Sequence, residues 1–393
     1  MFFKSIPRNV FFLGLVSFFN DLSSEMIYPI VPIFLTSVLH ASVPVVGLIE
    51  GIAEATASVG KFLFGAYSDY LQKRKPFVIA GYSFGAASKL LIALAYSWPL
   101  VLFARFIDRI GKGLRTAPRD SLLLDSAHAG NKGFIFGFHR AFDSLGAVVG
   151  PLIALGLLAL LHENIRLTFF IAAIPAFIAV GLLFIFVHET RKPETERKSP
   201  FRNFKWSLLS GKLKLFLFIS FLFSAGNSSD AFLLLQAKHL GLTTTLVVLA
   251  YVLYNISQTV FATPLGKLSD KVGAGRVFSF GLIVFAAVYF MFGLVHASYW
   301  MWILFPVYGM YIAATDGVSK AYIGEFISKE ESGTFFGAYY MVTALGVFLA
   351  SVIGGLLWSS ISPSATFLYG SGMAFVAFLV FNMSHMKLVH NRQ

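Results

Sequence analysis

Long apolar runs separated by short polar stretches set the pattern of this chain. A bilayer core takes about 20 apolar residues per helix. Runs of that length recur near 10–38, 43–67, 77–96, 98–124, 133–160, 166–188, 214–237, 244–265, 276–296, 299–326, 334–358 and 364–386. They are unbroken, whereas an outer-membrane barrel alternates polar and apolar residues over strands of about ten. The pattern therefore predicts an all-α membrane protein with 12 transmembrane helices. The first run reads as a span and not as a cleaved leader, because it carries Asp21 and Glu25 and lacks a small-residue cleavage site. The longest polar stretch begins at Glu189. It predicts an N-terminal six-helix bundle over 1–188, a linker over 189–213 and a C-terminal six-helix bundle over 214–393.

Composition agrees with this pattern. Hydrophobic residues make up 57% of the 393 and charged residues 13%, against about a quarter charged in a soluble domain. Such a chain is neither a soluble globule nor disordered. The net charge of +12 is explained by where the bases lie. With the N-terminus in the cytoplasm, the cytoplasmic segments hold twenty of the 31 Lys and Arg, eight of them between Arg191 and Lys214. The outer loops hold only Arg166 and Lys238. This is the positive-inside bias, and it predicts a multi-pass inner-membrane protein with both termini cytoplasmic and no nucleic-acid partner. Cysteine is absent, and the nine histidines form no ligand pair one helical turn apart. No metal site and no cofactor are expected.

The two halves repeat at a spacing near 200. Gly65-Ala66-Tyr67-Ser68-Asp69 matches Gly266-Lys267-Leu268-Ser269-Asp270, and Ser23-Ser24-Glu25 matches Ser228-Ser229-Asp230. Gly133, Phe136, Gly137, Leu145 and Gly146 match Gly333, Phe336, Gly337, Leu345 and Gly346. Two six-helix bundles in parallel repeat are a design for alternating access, with the solute site near the membrane midplane.

Three motifs carry a family resemblance. Gly65-x-x-Ser68-Asp69-x-x-x-Lys73-Arg74-Lys75 resembles the signature loop of the major facilitator superfamily (MFS), with Gln72 where a glycine is usual. Ala104-Arg105-Phe106-x-x-x-Ile110-Gly111 resembles that family's buried-arginine motif. Gly146-x-x-x-Gly150-Pro151 is similar to the motif of its drug/proton-antiporter branch, although Ala154-Leu155 replaces the trailing glycine pair. The resemblance spans essentially the whole chain. It implies the MFS fold, a secondary transporter, and a central cavity lined by spans one, four, seven and ten.

The residues narrow the site independently. Twenty charged residues lie inside spans, sixteen of them in the first half. Each costs about 2.5–3.5 kcal/mol at a helix centre unless it is paired or faces water. Asp21 and Glu25 share one face of span one at mid-depth, where mutual repulsion suits proton exchange. Glu50 and Glu54 repeat the pattern on span two. Arg105 and Arg109 share a face of span four, as do Asp108 and Lys112. Asp316 and Lys320 are spaced to pair on span ten. Lys61 and Lys89 are expected to pair with acids, and His139, Arg140 and Asp143 to clamp helices together. Asp21, Glu25 and Asp230 are the expected proton or cation carriers, with Arg105 and Arg109 holding an anionic group or one of those acids. Glu54, Asp108, Asp316 and Lys320 complete the charged set. Tyr254 and Gln258, with Tyr251, Asn255, Tyr308 and Tyr311, predict an aromatic, hydrogen-bonding wall. Gly65, Asp69, Arg74, Lys75, Gly266 and Asp270 are expected to form a cytoplasmic gate, the acids accepting from helix N-termini or pairing with the bases.

No nucleotide-binding loop and no nucleophile elbow occur, so drive would come from an ion or solute gradient and no enzyme activity is expected. The sequence predicts a monomeric secondary transporter whose partners are a small-molecule solute, protons and the lipid bilayer. Proton-coupled export of an amphipathic or charged organic solute stands beside uptake of an anionic metabolite or siderophore. A non-transporting membrane sensor or scaffold is the alternative of another class.

Overall fold

The computed structural model describes residues 6–71, 73–126, 132–189, 211–324 and 332–390. The helices are α1 (Arg8–Ile27), α2 (Val43–Leu71), α3 (Lys75–Ala93), α4 (Trp98–Asp125), α5 (Lys132–Leu160) and α6 (Ile165–Phe186). They continue with α7 (Gly211–Gly226), α8 (Thr244–Val272), α9 (Ala274–Leu294), α10 (Met301–Gly324), α11 (Ser332–Ser360) and α12 (Pro363–His390). Among the described residues, ten helical segments are long and apolar enough to cross a membrane. The two other spans are α4, laden with charge from Arg105 to Asp120, and α10, which carries Tyr308, Tyr311, Thr315, Asp316 and Ser319.

Two spans are interrupted where the sequence reading has one continuous helix. The first ends its α-helix at Ile27 and resumes as a short helix, Val31–Ile33, followed by a π-helical turn, Phe34–Val38. Pro29 and Pro32 each lack the N–H that an unbroken helix needs. The seventh span breaks after Gly226 and resumes as the nine-residue helix Ala231–His239. Between them lies Asn227-Ser228-Ser229-Asp230, residues whose side chains compete with the helix for backbone hydrogen bonds.

The chain packs as two compact units, Met1–Phe34 with Thr56–Asn203 and Leu35–Ala55 with Phe204–Gln393. Within the first, α1 lies on α5 and α6, and α3 on α4 and α6. Within the second, α7 lies on α11 and α12, and α9 on α10 and α12. The repeat seen in the sequence is thus a repeat of packing partners. Small residues make the closest crossings. A Cβ on Gly81 of α3 would stand 2.6 Å from the Gly111 carbonyl of α4, a distance no side chain tolerates. Two centuries of residue numbers later, Gly281 of α9 meets Ala314 and Thr315 of α10 in the same way.

The start of α2 belongs to the second unit. A Cβ on Gly51 would lie 3.0 Å from the Phe348 ring of α11, and one on Gly355 would lie 2.8 Å from Pro44 Cα. The linker expected over 189–213 lies outside the described residues apart from Glu189 and the first residues of α7.

Candidate solute and ion site

In the first unit the charges of α4 meet partners from α1 and α3. Asp108 sits between Lys89 Nζ at 3.5 Å and Arg109 Nε at 3.8 Å. Ser88 Oγ donates to it at 3.4 Å, and Lys89 also donates to the Gly85 carbonyl at 3.1 Å. The buried Lys89 therefore finds the acid expected for it. Two helical turns further along α4, Arg115 stacks over the Tyr82 ring at 4.5 Å and donates to Asn20 Oδ1 at 3.1 Å. Asn20 Nδ2 in turn donates to Asp21 Oδ1 at 3.0 Å. Arg119 reaches Ser17 Oγ at 3.2 Å and Asp120 at 3.1 Å. Ser17, Asn20 and Asp21 form the polar face of α1, and the arginines of α4 hold it.

Asp21 also lies within electrostatic reach of Asp143 on α5, and Asp143 Oδ2 is 3.5 Å from His139 Nδ1. The two glycines of the antiporter-like motif set the α1–α5 distance here. A Cβ on Gly146 would stand 3.1 Å from Asp21 Cβ, and one on Gly150 would stand 3.0 Å from Glu25 Cβ. The motif is thus the groove against which both carboxylate positions of α1 are seated. Arg105, only 5% exposed, lies over the Tyr28 ring at 5.6 Å.

In the second unit the centre is Asp230, at the break of the seventh span. It occupies the N-cap position of the Ala231–His239 helix without capping it. Its carboxylate is turned to two tyrosines instead. Tyr308 Oη donates to Oδ1 at 2.6 Å and Tyr254 Oη donates to Oδ2 at 3.1 Å. The rings of Tyr251, Tyr254, Tyr308, Tyr311 and Tyr289 run in a chain, successive centroids 4.8–6.1 Å apart or joined through Phe285. Asn227 Nδ2 donates to Tyr311 Oη at 3.0 Å, and Tyr289 Oη donates to the Ser228 carbonyl at 3.2 Å. Glu50 and Glu54, on the part of α2 that packs in this unit, act electrostatically on Asp230. Among the described residues no base forms an ion pair with Asp230.

The expected site residues thus fall into two groups. Asp21, Glu25, Arg105, Asp108 and Arg109 gather in the first unit. Asp230, Tyr254 and Glu54 gather in the second, where Glu54 joins Asp230 although the sequence had set it apart on span two. Gln258 lies one turn beyond Tyr254, beside Gly309 of α10, with no hydrogen bond to the Asp230 cluster. Asp316 is exposed, and the side chain of Lys320 lies outside the described residues. The sequence missed Tyr289. Its signal was a tyrosine hydroxyl deep inside the apolar run of α9, which must find a partner when buried.

The expected gate is described in part. The surroundings of Gly65 and the side chains of Asp69 and Asp270 lie outside the described residues. Arg74 Nη1 donates to Ser68 Oγ at 2.8 Å. The acid described at the N-terminus of α3 is Glu189, which follows α6. Its carboxylate accepts from Arg74 N at 3.1 Å and Lys75 N at 2.8 Å. In the repeated loop, Ser269 Oγ donates to the Gly266 carbonyl at 2.7 Å.

The family model described as Major Facilitator Superfamily matches residues 13–236 and 216–386. The chain belongs to the Major Facilitator Superfamily. It is 37% identical to an uncharacterised MFS-type transporter of Methanocaldococcus jannaschii, over 96% of this chain and 95% of that protein. It is 22% identical to the multidrug resistance protein MdtG of Salmonella dublin, over 92% and 90% of the two chains. A crystal structure of a variant of the nucleoside transporter NupG superposes with a TM-score of 0.79 at 13% identity, covering 95% of this chain and 99% of that one. This MFS protein is a multi-pass membrane transporter of small solutes and not an enzyme.

Proposed function

We propose that this MFS transporter exports amphipathic organic solutes that carry a positive charge beside an aromatic or apolar body, in exchange for protons. One observation carries the reading. Asp230 lies in the break of the seventh span, held by two tyrosine hydroxyls and bordered by tyrosine rings. A carboxylate in such surroundings takes up either a proton or a cation, and occupancy by one opposes the other. Tyrosine faces stabilise an organic cation by their quadrupole, by about 0.5–2 kcal/mol per contact. In the first unit, Asp21 beside Asp143, with Glu25 one turn on, supplies a second proton-binding position. The MFS relative named for multidrug resistance is in keeping with export. Uptake of an anion is the weaker reading, because the bases at Lys89, Arg109 and Arg119 already neutralise Asp108 and Asp120. The basic loops support an inner-membrane placement with both termini cytoplasmic, and the monomer is taken as the working unit.

The test is flux of an aromatic organic cation into proteoliposomes under an imposed pH step. Wild-type protein should accumulate the cation when the gradient is imposed and stop when it is collapsed. Asp230→Asn should lose the accumulation. Unchanged flux on collapsing the gradient rules out the coupling, and full accumulation by Asp230→Asn rules out the site.

A further inference from the structure

A groove apart from the candidate solute and ion site lies where α3 begins and α6 ends. It has a volume of about 570 Å³ and is lined by Lys73, Lys75, Pro76, Ile79, Ala80 and Glu189. Its floor is apolar and its rim carries two lysines. The end of α6 faces lipid at this level, since Phe184 and Ile185 are 66% and 64% exposed. Lys75 is set in place by its surroundings: Nζ lies 5.8 Å from the Phe184 ring centroid and donates one N–H to the Phe184 carbonyl at 3.1 Å. An ammonium has three N–H groups, so two remain to be used.

We propose that this groove seats one anionic phospholipid, its phosphodiester on Lys73 and Lys75 and one acyl chain along Pro76, Ile79 and Ala80. Charge complementarity selects the headgroup. The first N–H groups of α3 cannot bind the phosphate, because Glu189 already takes those of Arg74 and Lys75. The lysine side chains must do so. Glu189 is held by these backbone donors, which offset its charge at the rim. Depth selects a lipid over a soluble anion. The lysines stand at the end of a span, where basic side chains meet the headgroup layer, and the floor below them runs along the span itself. Lys73 lies in the segment joining α2 to α3 and Lys75 opens α3, so a bound lipid would pin that connection.

The experiment uses the full-length protein in detergent, with bound lipid counted by native mass spectrometry. Phosphatidylglycerol should be retained at one molecule per chain in preference to phosphatidylcholine and phosphatidylethanolamine. Lys73→Gln and Lys75→Gln should each weaken retention by about fivefold, and by about 25-fold together. The Lys73→Arg/Lys75→Arg pair should keep it, which separates loss of charge from loss of folding. Lys271→Gln, an exposed lysine at the end of α8, should leave retention unchanged. Equal retention of the three lipids overturns the proposal. So does a double glutamine variant that binds as the wild type, an equal loss in Lys271→Gln, or displacement of the lipid by millimolar inorganic phosphate.

Discussion

Adding one methyl group at Gly146 tests how α1 is positioned. The Cβ of an alanine there would stand 2.7 Å from the Phe18 carbonyl, 3.0 Å from Leu22 N and 3.1 Å from Asp21 Cβ. The first distance is about 0.7 Å short of ordinary contact, and its partner is helix backbone, which cannot swing aside. Overpacking of this kind costs about 1–3 kcal/mol. Replacing a mid-helix glycine by alanine returns about 0.5–1 kcal/mol, so Gly146→Ala should lose about 1–2 kcal/mol net. At about 2–4 °C per kcal/mol for a unit of this size, its thermal midpoint should fall by roughly 2–8 °C. The same helix contains its own control. Gly156 has nothing within 4 Å of the added carbon, so Gly156→Ala should raise the midpoint slightly. The assay is thermal unfolding of the purified variants in one detergent, paired with gradient-driven flux. Flux should fall in Gly146→Ala, because α1 can relieve the clash only by carrying Asp21 away from α5. A Gly146→Ala midpoint equal to that of Gly156→Ala would refute the reasoning.

Other perturbations follow from single contacts. Tyr308→Phe removes the 2.6 Å donor to Asp230 and should cost about 1.5–3 kcal/mol in thermal stability, as for hydrogen bonds to charged groups; in Asp230→Asn the same change should cost clearly less, which a double-mutant cycle reads directly. Lys89→Met leaves Asp108 short of a partner in a buried site and should cost about 3–5 kcal/mol, whereas Lys89→Met with Asp108→Leu should recover most of it in the same melting assay. Glu189→Ala frees the N–H groups of Arg74 and Lys75 and should cost about 0.5–2 kcal/mol as a lost helix cap. Hydrogen exchange at the first turn of α3 should rise in that variant and stay unchanged at α9.

Much of this architecture was legible in the sequence because lipid imposes a simple rule. Every backbone group must bond internally, so each apolar run long enough to span becomes a helix, and the repeat at about 200 residues carries over into packing partners. The two interrupted spans were less legible. Proline at 29 and 32 and the polar Asn227–Asp230 stretch mark the breaks, yet hydropathy averages over them. Lys89 could be anticipated to pair with an acid in hydrocarbon, but not that the acid would be Asp108 of α4. Tyr308 and Tyr254 were visible as a polar stripe, whereas their convergence on Asp230 depends on α8 and α10 packing beside the broken seventh span. Glu189 was hidden for a different reason. It lies 114 residues from the backbone N–H of Lys75 that it accepts from, and no local pattern announces a cap supplied by another helix.

The two units share their packing and divide their chemistry. Gly146 seats α5 on α1 beside Asp21, and Gly346 seats α11 on α7 with its added Cβ 2.6 Å from Ser224 Cβ. Equivalent helices meet in equivalent ways, so packing alone does not require the acids to be treated differently. The environments differ nonetheless. Asp108 and Asp120 are met by permanent cations, lysine and arginine, so each carboxylate has an ion-pair partner. Asp230 is met by neutral hydroxyls that orient it without cancelling its charge, and further carboxylates on α2 oppose that charge. A buried anion stabilised by orientation alone is the one whose occupancy a proton or a cation can change at moderate cost. On the proposed proton exchange, the coupling residue is sought where ion pairing is incomplete, at the break in the seventh span, while the paired charges of α4 tie it to α1 and α3 beside Asp21.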